Sequence, residues 1–374
     1  MRIVKTIKTN KGLFLTLRRT FHPVGQGAFY SEVFSDNKTN HLIMVYDCGT
    51  ETSNNSFKTV NGKNLCDQIT DFSSSLGRGN HYIDLLCVSH LHMDHISGIQ
   101  TLIKKLPPKW IILPMLPEDI ITASRIYNIV KYGEKAFSCD ELIHDLYYGD
   151  FYNIIGVQPF FVDRYESKLL PRVTDIVDSG TVLPNKTNIG WCYRPFNSIS
   201  GSDDRVKVLI DNVKRIPGVL INDVFNSLEA FNHLKELKLA FKSAMNGASD
   251  NLYTMIIESR PLSENEEEIS INHIARCVYF GDFVPRGDIW ERFLNTINDY
   301  DQIGTIQVPH HGSKYNWRKE MLTNKTEFCV ISAGSSNKYH HPNFWVTKDI
   351  VSAKSELKIV SENPRSIVQF VFNM

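Results

Sequence analysis

A chain of 374 residues, 42% hydrophobic and 22% charged, can bury a sizeable core, as one large domain with an insertion or as two domains. Its 41 lysines and arginines balance its 41 aspartates and glutamates, which excludes the global positive field of a tight non-specific nucleic-acid binder but not a local basic groove. No apolar run reaches the roughly 18 residues of a membrane helix, and MRIVKTIKTNKGLFLTLRRT lacks the apolar stretch of a signal peptide, so no membrane and a cytoplasmic location are the expectations.

LFLTLRRTFHPVGQGAFYSEVF alternates like β-strands and breaks at Gly25-Gln26-Gly27, which lacks the P-loop spacing and reads as a tight turn. HLIMVYDCGT is an apolar run ending at Asp47. Residues 62–77 have helical spacing, 83–90 read as a buried strand, 97–106 as a helix stopped by Pro107 and Pro108, and 109–114 as the next strand. Strands alternating with helices predict a layered α/β fold. From 116 to 248 the pattern turns mainly helical, with a looser aromatic-rich piece, and reads as an insertion or cap. The α/β rhythm returns over 249–374, where LYTMIIES and ARCVYFGD flank the acidic SENEEE. The expected organisation is therefore a first half (1–115), a helical insertion (116–248) and a second half (249–374). The seven cysteines are scattered without a CxxC, which fits reduced thiols.

Chemistry concentrates at strand ends. SHLHMDHISG places His90, His92, Asp94 and His95 directly after the strand 83–89, where open α/β sheets build sites. Imidazoles and carboxylates suit divalent ions such as Zn²⁺ or Mn²⁺. His90 and His92 can serve one ion, and Asp94 and His95 an adjacent one. CVYFGDF ends a strand with Gly281 and Asp282, a place for a carboxylate bridging two cations. TIQVPHHGS ends another with His310 and His311, either of which can ligate; His311, directly before glycine, is preferred.

These segments together resemble the metallo-β-lactamase superfamily, whose hallmark is HxHxDH after a strand with an upstream strand-ending aspartate, here Asp47. HPVGQGAFY, VYFGDF, VPHHGS and GSSNKYHHPN further resemble the hydrolase domain of ComEC-like competence proteins, over residues 23–343 but not the 116–248 segment. Two positions depart from that pattern: Ala28 replaces the aspartate of VGQGD, and His340 stands in place of glycine. Many superfamily members have a further histidine ligand; His144, His233 and His273 are candidates, none in a Gly-His turn, and Asp250 is a substitute.

The resemblance implies a four-layer αβ/βα sandwich with a helical insertion, holding two divalent metal ions, Zn or Mn. It implies phosphodiester hydrolysis of DNA, a single strand or an end, by a metal-activated water. Asp94 is the expected partner or base for that water, and Asp47 the residue that orients a ligand histidine. His341, with His340 nearby, is placed to hydrogen-bond phosphate or protonate the leaving oxygen; Ser313, Lys314 and Asn337 are candidate phosphate contacts. A cytoplasmic nuclease needs restraint, so a regulatory protein partner and a setting in phage defence or DNA processing are further expectations. The rival readings are a hydrolase of a small phosphodiester, lactone or thioester, and a non-catalytic metal-binding interaction protein.

Overall fold

The computed structural model describes residues 2–6, 15–36, 39–52, 63–77, 81–149, 152–160, 173–183, 189–199, 204–219, 227–245, 253–262 and 273–373. SENEEE and Asp250 lie outside the described residues.

Two sheets form the centre. The first contains β1 (Arg2–Thr6), β2 (Thr16–Phe21), β3 (Phe29–Ser35), β4 (Asn40–Cys48), β5 (Ile83–Cys87), β6 (Pro108–Pro114), β7 (Ile154–Val157), β8 (Asp175–Val177) and β15 (Val368–Asn373). Their spatial order is β1-β15-β2-β3-β4-β5-β6-β7-β8. The second sheet runs β14 (Glu356–Val360), β13 (Phe328–Ser332), β12 (Thr305–Gln307), β11 (Cys277–Tyr279), β10 (Tyr253–Pro261) and β9 (Trp191–Ile199). β4 to β8 are parallel, and so are β11 to β14. Parallel neighbours end on the same side, so the carboxyl ends of β4, β5, β11, β12 and β13 converge on one edge.

The chain covers both outer faces with helices. Ile69 and Phe72 of α1 (Leu65–Ser75) join one core outside the first sheet with Ile99 and Leu102 of α3 (Ile99–Lys105), which follows the short α2 (Met93–Ile96). Asn64 caps α1 by accepting from the Asp67 amide, and Asp67 returns the bond, a reciprocal cap that fixes its start. The middle core, between the sheets, holds Phe21, Tyr30, Tyr46, Tyr193, Met255 and Tyr279. Trp290 and Phe293 of α9 (Ile289–Ile297) and Ile350 of α10 (Phe344–Ser352) fill the outer core of the second sheet. This is the expected four-layer sandwich. β4 is buried from Leu42 to Cys48 because both of its faces are covered, which explains its unbroken apolar run.

One buried polar cluster bolts the sheets together. Arg19 on β2 pairs with Glu32 on β3 at 2.6 Å and donates to the Ala275 carbonyl at 2.7 Å. Glu32 also accepts from Tyr193, Tyr279 and Ser259 of the opposite sheet at 2.7–3.0 Å. A charge so deep is tolerable only when its partners saturate it.

The segment 116–248 is less purely helical than its sequence suggests. It contains α4 (Glu118–Tyr132), α5 (Phe137–Tyr148), α6 (Asp204–Lys214), α7 (Ser227–Asn232) and α8 (Leu234–Met245), but also β7, β8 and β9. β7 and β8 extend the first sheet and β9 pairs with β10 along nine residues, so both sheets draw strands from this segment. Ile154–Val157 is four residues long, too short to show a period of its own. No helix among the described residues is long and apolar enough to cross a membrane.

Candidate metal centre

Each strand end delivers one part of the site. Asp47, at the end of β4, sits at φ 55°, and its side chain reaches the turn after β5. There Oδ1 accepts from the Ser89 amide at 2.7 Å, and Oδ2 accepts from Ser89 Oγ at 2.6 Å and from His95 Nδ1 at 2.7 Å. Ser89 Oγ in turn lies 2.8 Å from His90 Nδ1, so Asp47 orients His95 directly and His90 through the serine hydroxyl. His311 Nδ1 donates to the Ser332 carbonyl at the end of β13, 2.8 Å away. In all three histidines the anchored Nδ1 leaves Nε2 to face the centre, the usual arrangement behind a metal-binding imidazole.

The inward atoms form three overlapping triads: His90-His92-Asp94, His90-His95-Asp282 and Asp94-His95-His311. Within each, the ligand atoms lie within 4.8 Å of one another, and every member is buried. His90, Asp94 and His95 each belong to two triads, so the six residues make one connected donor set. The fit to a cation is visible in its loose ends. His90 Nε2, His95 Nε2 and Asp94 Oδ1 are buried and make no hydrogen bond. His95 Nε2 lies 3.2 Å from Asp282 Oδ1 and His90 Nε2 lies 3.5 Å from Asp282 Oδ2, close enough to attract but not aligned as hydrogen bonds.

Charges respond accordingly. Burial works against the Asp94 carboxylate, but His311, His95 and Lys131 outweigh it and hold its carboxyl well below the usual range. Asp282 is likewise held low against burial by His310, His95 and His90. Burial, reinforced by His95, keeps His90 neutral, the form that binds metal.

Glycine permits the close approach of two of these loops. Gly281 has φ 55°, and a Cβ there would meet Thr254 Oγ1 at 2.6 Å, Tyr46 Oη at 2.8 Å and Ser89 Cβ at 2.9 Å. Its amide and that of Phe280 are held by Gln307 Oε1 at 2.8 and 2.7 Å.

The remaining sequence candidates separate. His310, at φ 45°, turns Nδ1 to Asn316 Oδ1 at 2.9 Å, and its Nε2 lies 3.7 Å from Asp282, outside the triads. His341 lines the cavity in front of the triads; burial, with His310 and His311, pushes it down to about 4, so it is uncharged at neutral pH. Ser313 also lines that cavity. Asn337 is spent on its own loop, donating to the Gly334 and His341 carbonyls and accepting from the His341 amide. Lys314 and His340 are exposed and outside the cavity lining. Of the extra histidines, His144 lies by Asp145, His233 by Gly218 and His273 by Glu327; none enters a triad.

Asp94 and His311 of the triads open onto a cavity of about 600 Å³. Its walls bring residues that no motif marks, Tyr127 and Lys131 of α4, Glu51, Arg286 and Tyr315, beside Tyr339 of GSSNKYHHPN. Lys131 Nζ donates to Tyr127 Oη at 2.6 Å and pairs with Glu51 at 3.2 Å. Ser89 and Asn316 had a faint signal in their adjacency to HxHxDH and HHGS. Lys131 had none, because it joins Asp94 only through the fold.

Residues 39–151 match the family model described as the metallo-beta-lactamase superfamily. Among solved structures, the chain is similar to the metallo-beta-lactamase fold protein YhfI from Bacillus subtilis, at 8% identity over 96% of this chain and 100% of that one, with a TM-score of 0.37. It is similar to the metallo-β-lactamase MIM-1 from Novosphingobium pentaromativorans at 10% identity, covering 93% and 85% of the two chains with a TM-score of 0.32. A long form RNase Z from yeast aligns at 11% identity over 79% of this chain, with a TM-score of 0.31; this chain spans only 32% of its length. A search of curated proteins returned no match. The match over residues 39–151 carries Asp47, His90, His92, Asp94 and His95.

Proposed function

We propose that this protein is a metal-dependent phosphodiesterase of the ComEC-like branch that cleaves DNA at a single strand or an end. The observation that carries the reading is the connected set of three buried His/Asp triads, reached through Asp94 and His311 from an open cavity with Lys131 and Arg286 in its walls. Members of the superfamily are generally hydrolases. Two divalent ions, Zn or Mn, would be held by His90, His92, Asp94, His95, Asp282 and His311, and when bound such a pair supplies an activated water and neutralises phosphate charge.

The chain's own groups do the rest. Asp94, kept charged by His311, His95 and Lys131, orients the attacking water. Lys131 and Arg286 hold the phosphate by charge. His341, neutral and with Nδ1 buried without a hydrogen bond, offers an N–H to a phosphate or leaving-group oxygen. Asp47 holds His95 directly, and His90 through Ser89, in the tautomer whose Nε2 would be free to bind the metals. The proposal includes a cytoplasmic setting and a regulatory protein partner that acts through 116–248. The cavity volume also suits a small phosphodiester, which is the second reading.

The test is elemental analysis of the purified protein, together with hydrolysis of labelled single- and double-stranded DNA under Zn²⁺, Mn²⁺ or Mg²⁺. Cleavage that depends on metal and is lost in His92→Ala/Asp94→Ala supports the nuclease reading. Bound metal with hydrolysis of small phosphodiesters only moves it to the second reading. A protein that binds no metal and cleaves neither substrate refutes both.

A further inference from the structure

We propose that the rim of the cavity is a stacking track for single-stranded nucleic acid, built from Tyr315, Tyr339 and Trp345 with a lysine over each ring. The proposal rests on the phosphodiesterase reading for its choice of polymer and adds a surface outside the catalytic floor.

The three rings are 66%, 37% and 59% exposed. Tyr315 and Tyr339 line the cavity, and Trp345 follows Tyr339 by six residues; large aromatic groups left open on neighbouring segments mark an interaction surface. Each carries an ammonium over its face. Lys314 Nζ lies 5.0 Å from the centre of the Tyr315 ring, Lys338 Nζ 5.1 Å from Tyr339 and Lys348 Nζ 4.9 Å from Trp345. Lys131 approaches Tyr339 from the cavity wall at 5.5 Å.

Two neighbouring segments bring these pairs together. Tyr315 follows the His310-His311 turn; Tyr339 and Trp345 flank His341. The Asn343 amide donates to the Gly312 carbonyl at 2.9 Å and ties the two segments. Tyr315 and Tyr339 stand in the cavity wall, and Trp345 lies on the first turn of α10, its ring 5.4 Å from that of Phe344.

This pairing of flat π-faces with cations fits a strand of unpaired bases. Every base offers a face to stack on, while its phosphates recruit the lysines. A duplex hides those faces. Tryptophan and lysine also suit a bilayer surface. Here, though, two of the three rings face a concave cavity, which a flat membrane cannot enter.

The test reads binding apart from cleavage, using the full chain in EDTA and fluorescence anisotropy of labelled DNA and RNA strands of about 15 nucleotides and of a blunt duplex. Wild type is expected to prefer the single strands. Tyr315→Ala and Trp345→Ala should each weaken them by roughly five- to a hundredfold, the range for losing one stacking ring. Tyr315→Phe and Trp345→Phe should restore binding, which a folding defect would not allow. The DNA and RNA arms show which sugar is preferred. Equal strand affinity in wild type and both alanine variants overturns the track. So does a Trp345→Ala defect confined to phosphatidylserine vesicles, which would mark a membrane surface. Wild-type hydrolysis of bis(4-nitrophenyl) phosphate with Zn²⁺ or Mn²⁺ reads the reaction independently. Its absence beside variant-sensitive strand binding overturns the reaction and keeps the track; its presence beside variant-insensitive binding does the reverse.

Discussion

Asp47 Oδ2 lies 2.7 Å from His95 Nδ1, and the same oxygen takes the Ser89 hydroxyl that supports His90. One carboxylate, forced into a left-handed backbone conformation at the end of β4, thus sets the direction of two imidazoles. Asp47→Asn preserves size but can no longer take both donors as an anion. Metal affinity should fall by roughly 10- to 100-fold with the fold intact, as titration calorimetry with Zn²⁺ and circular dichroism would show. Unchanged affinity would mean that the histidines are oriented without it.

His311 and His310 should behave differently although they are adjacent. His311 Nε2 points at Asp94, whereas His310 leans on Asn316 and lies outside the triads. Elemental analysis of His311→Ala should return about one ion fewer per chain than wild type, and His310→Ala the full complement. The reverse result would exchange their roles.

Lys131 stands in the cavity wall between Tyr127 and Glu51. Lys131→Ala should lower kcat/KM for an anionic phosphodiester by roughly tenfold or more, chiefly through KM, because a ground-state charge contact is lost. Metal content should not change. A neutral ester substrate provides the control, and an equal loss on it would argue against charge recognition.

Gly281→Ala adds a methyl group where three atoms lie within 3 Å, at a positive φ. About 3 kcal/mol of stability should be lost, measured by urea unfolding. A loss under about 1 kcal/mol would show that the loop after β11 can shift.

His22 gives a pH signature away from the metals. It is buried, stacked on Phe29 and bonded to Ser31, and burial with nearby Arg18 pushes it from 6.5 down to about 3. Above pH 6.5 it is neutral in folded and unfolded chains alike. Between 6.5 and 3 only the unfolded chain takes up the proton, so stability falls as the pH falls, by about 1.4 kcal/mol per unit. Urea unfolding of His22→Gln at pH 6, 5 and 4 should show a slope shallower by about one proton. Parallel slopes would place the ordinary His22 pKa in the folded state.

Much of the site is local in sequence. HxHxDH is six consecutive residues after a buried strand, and the Gly-Asp and His-His pairs each end a strand of their own. Those side chains face one edge because parallel strands finish together, which alternating apolar runs already imply. The reading of 116–248 as mainly helical missed β7, β8 and β9, because a strand of four residues carries no periodicity and its partners lie far along the chain.

What the sequence by itself determined is the kind of chemistry: the ligand types, their attachment to strand ends and the layered α/β frame. The tertiary structure alone decided the rest. It turned His311 rather than His310 toward Asp94, tied Asn337 into its own loop, and brought Lys131 from α4 into the wall of the same cavity as Asp94. The physical reason is that ligand type is a property of one residue, whereas direction and neighbourhood depend on backbone angles and packing between segments as far apart as the 217 residues that separate Asp94 from His311.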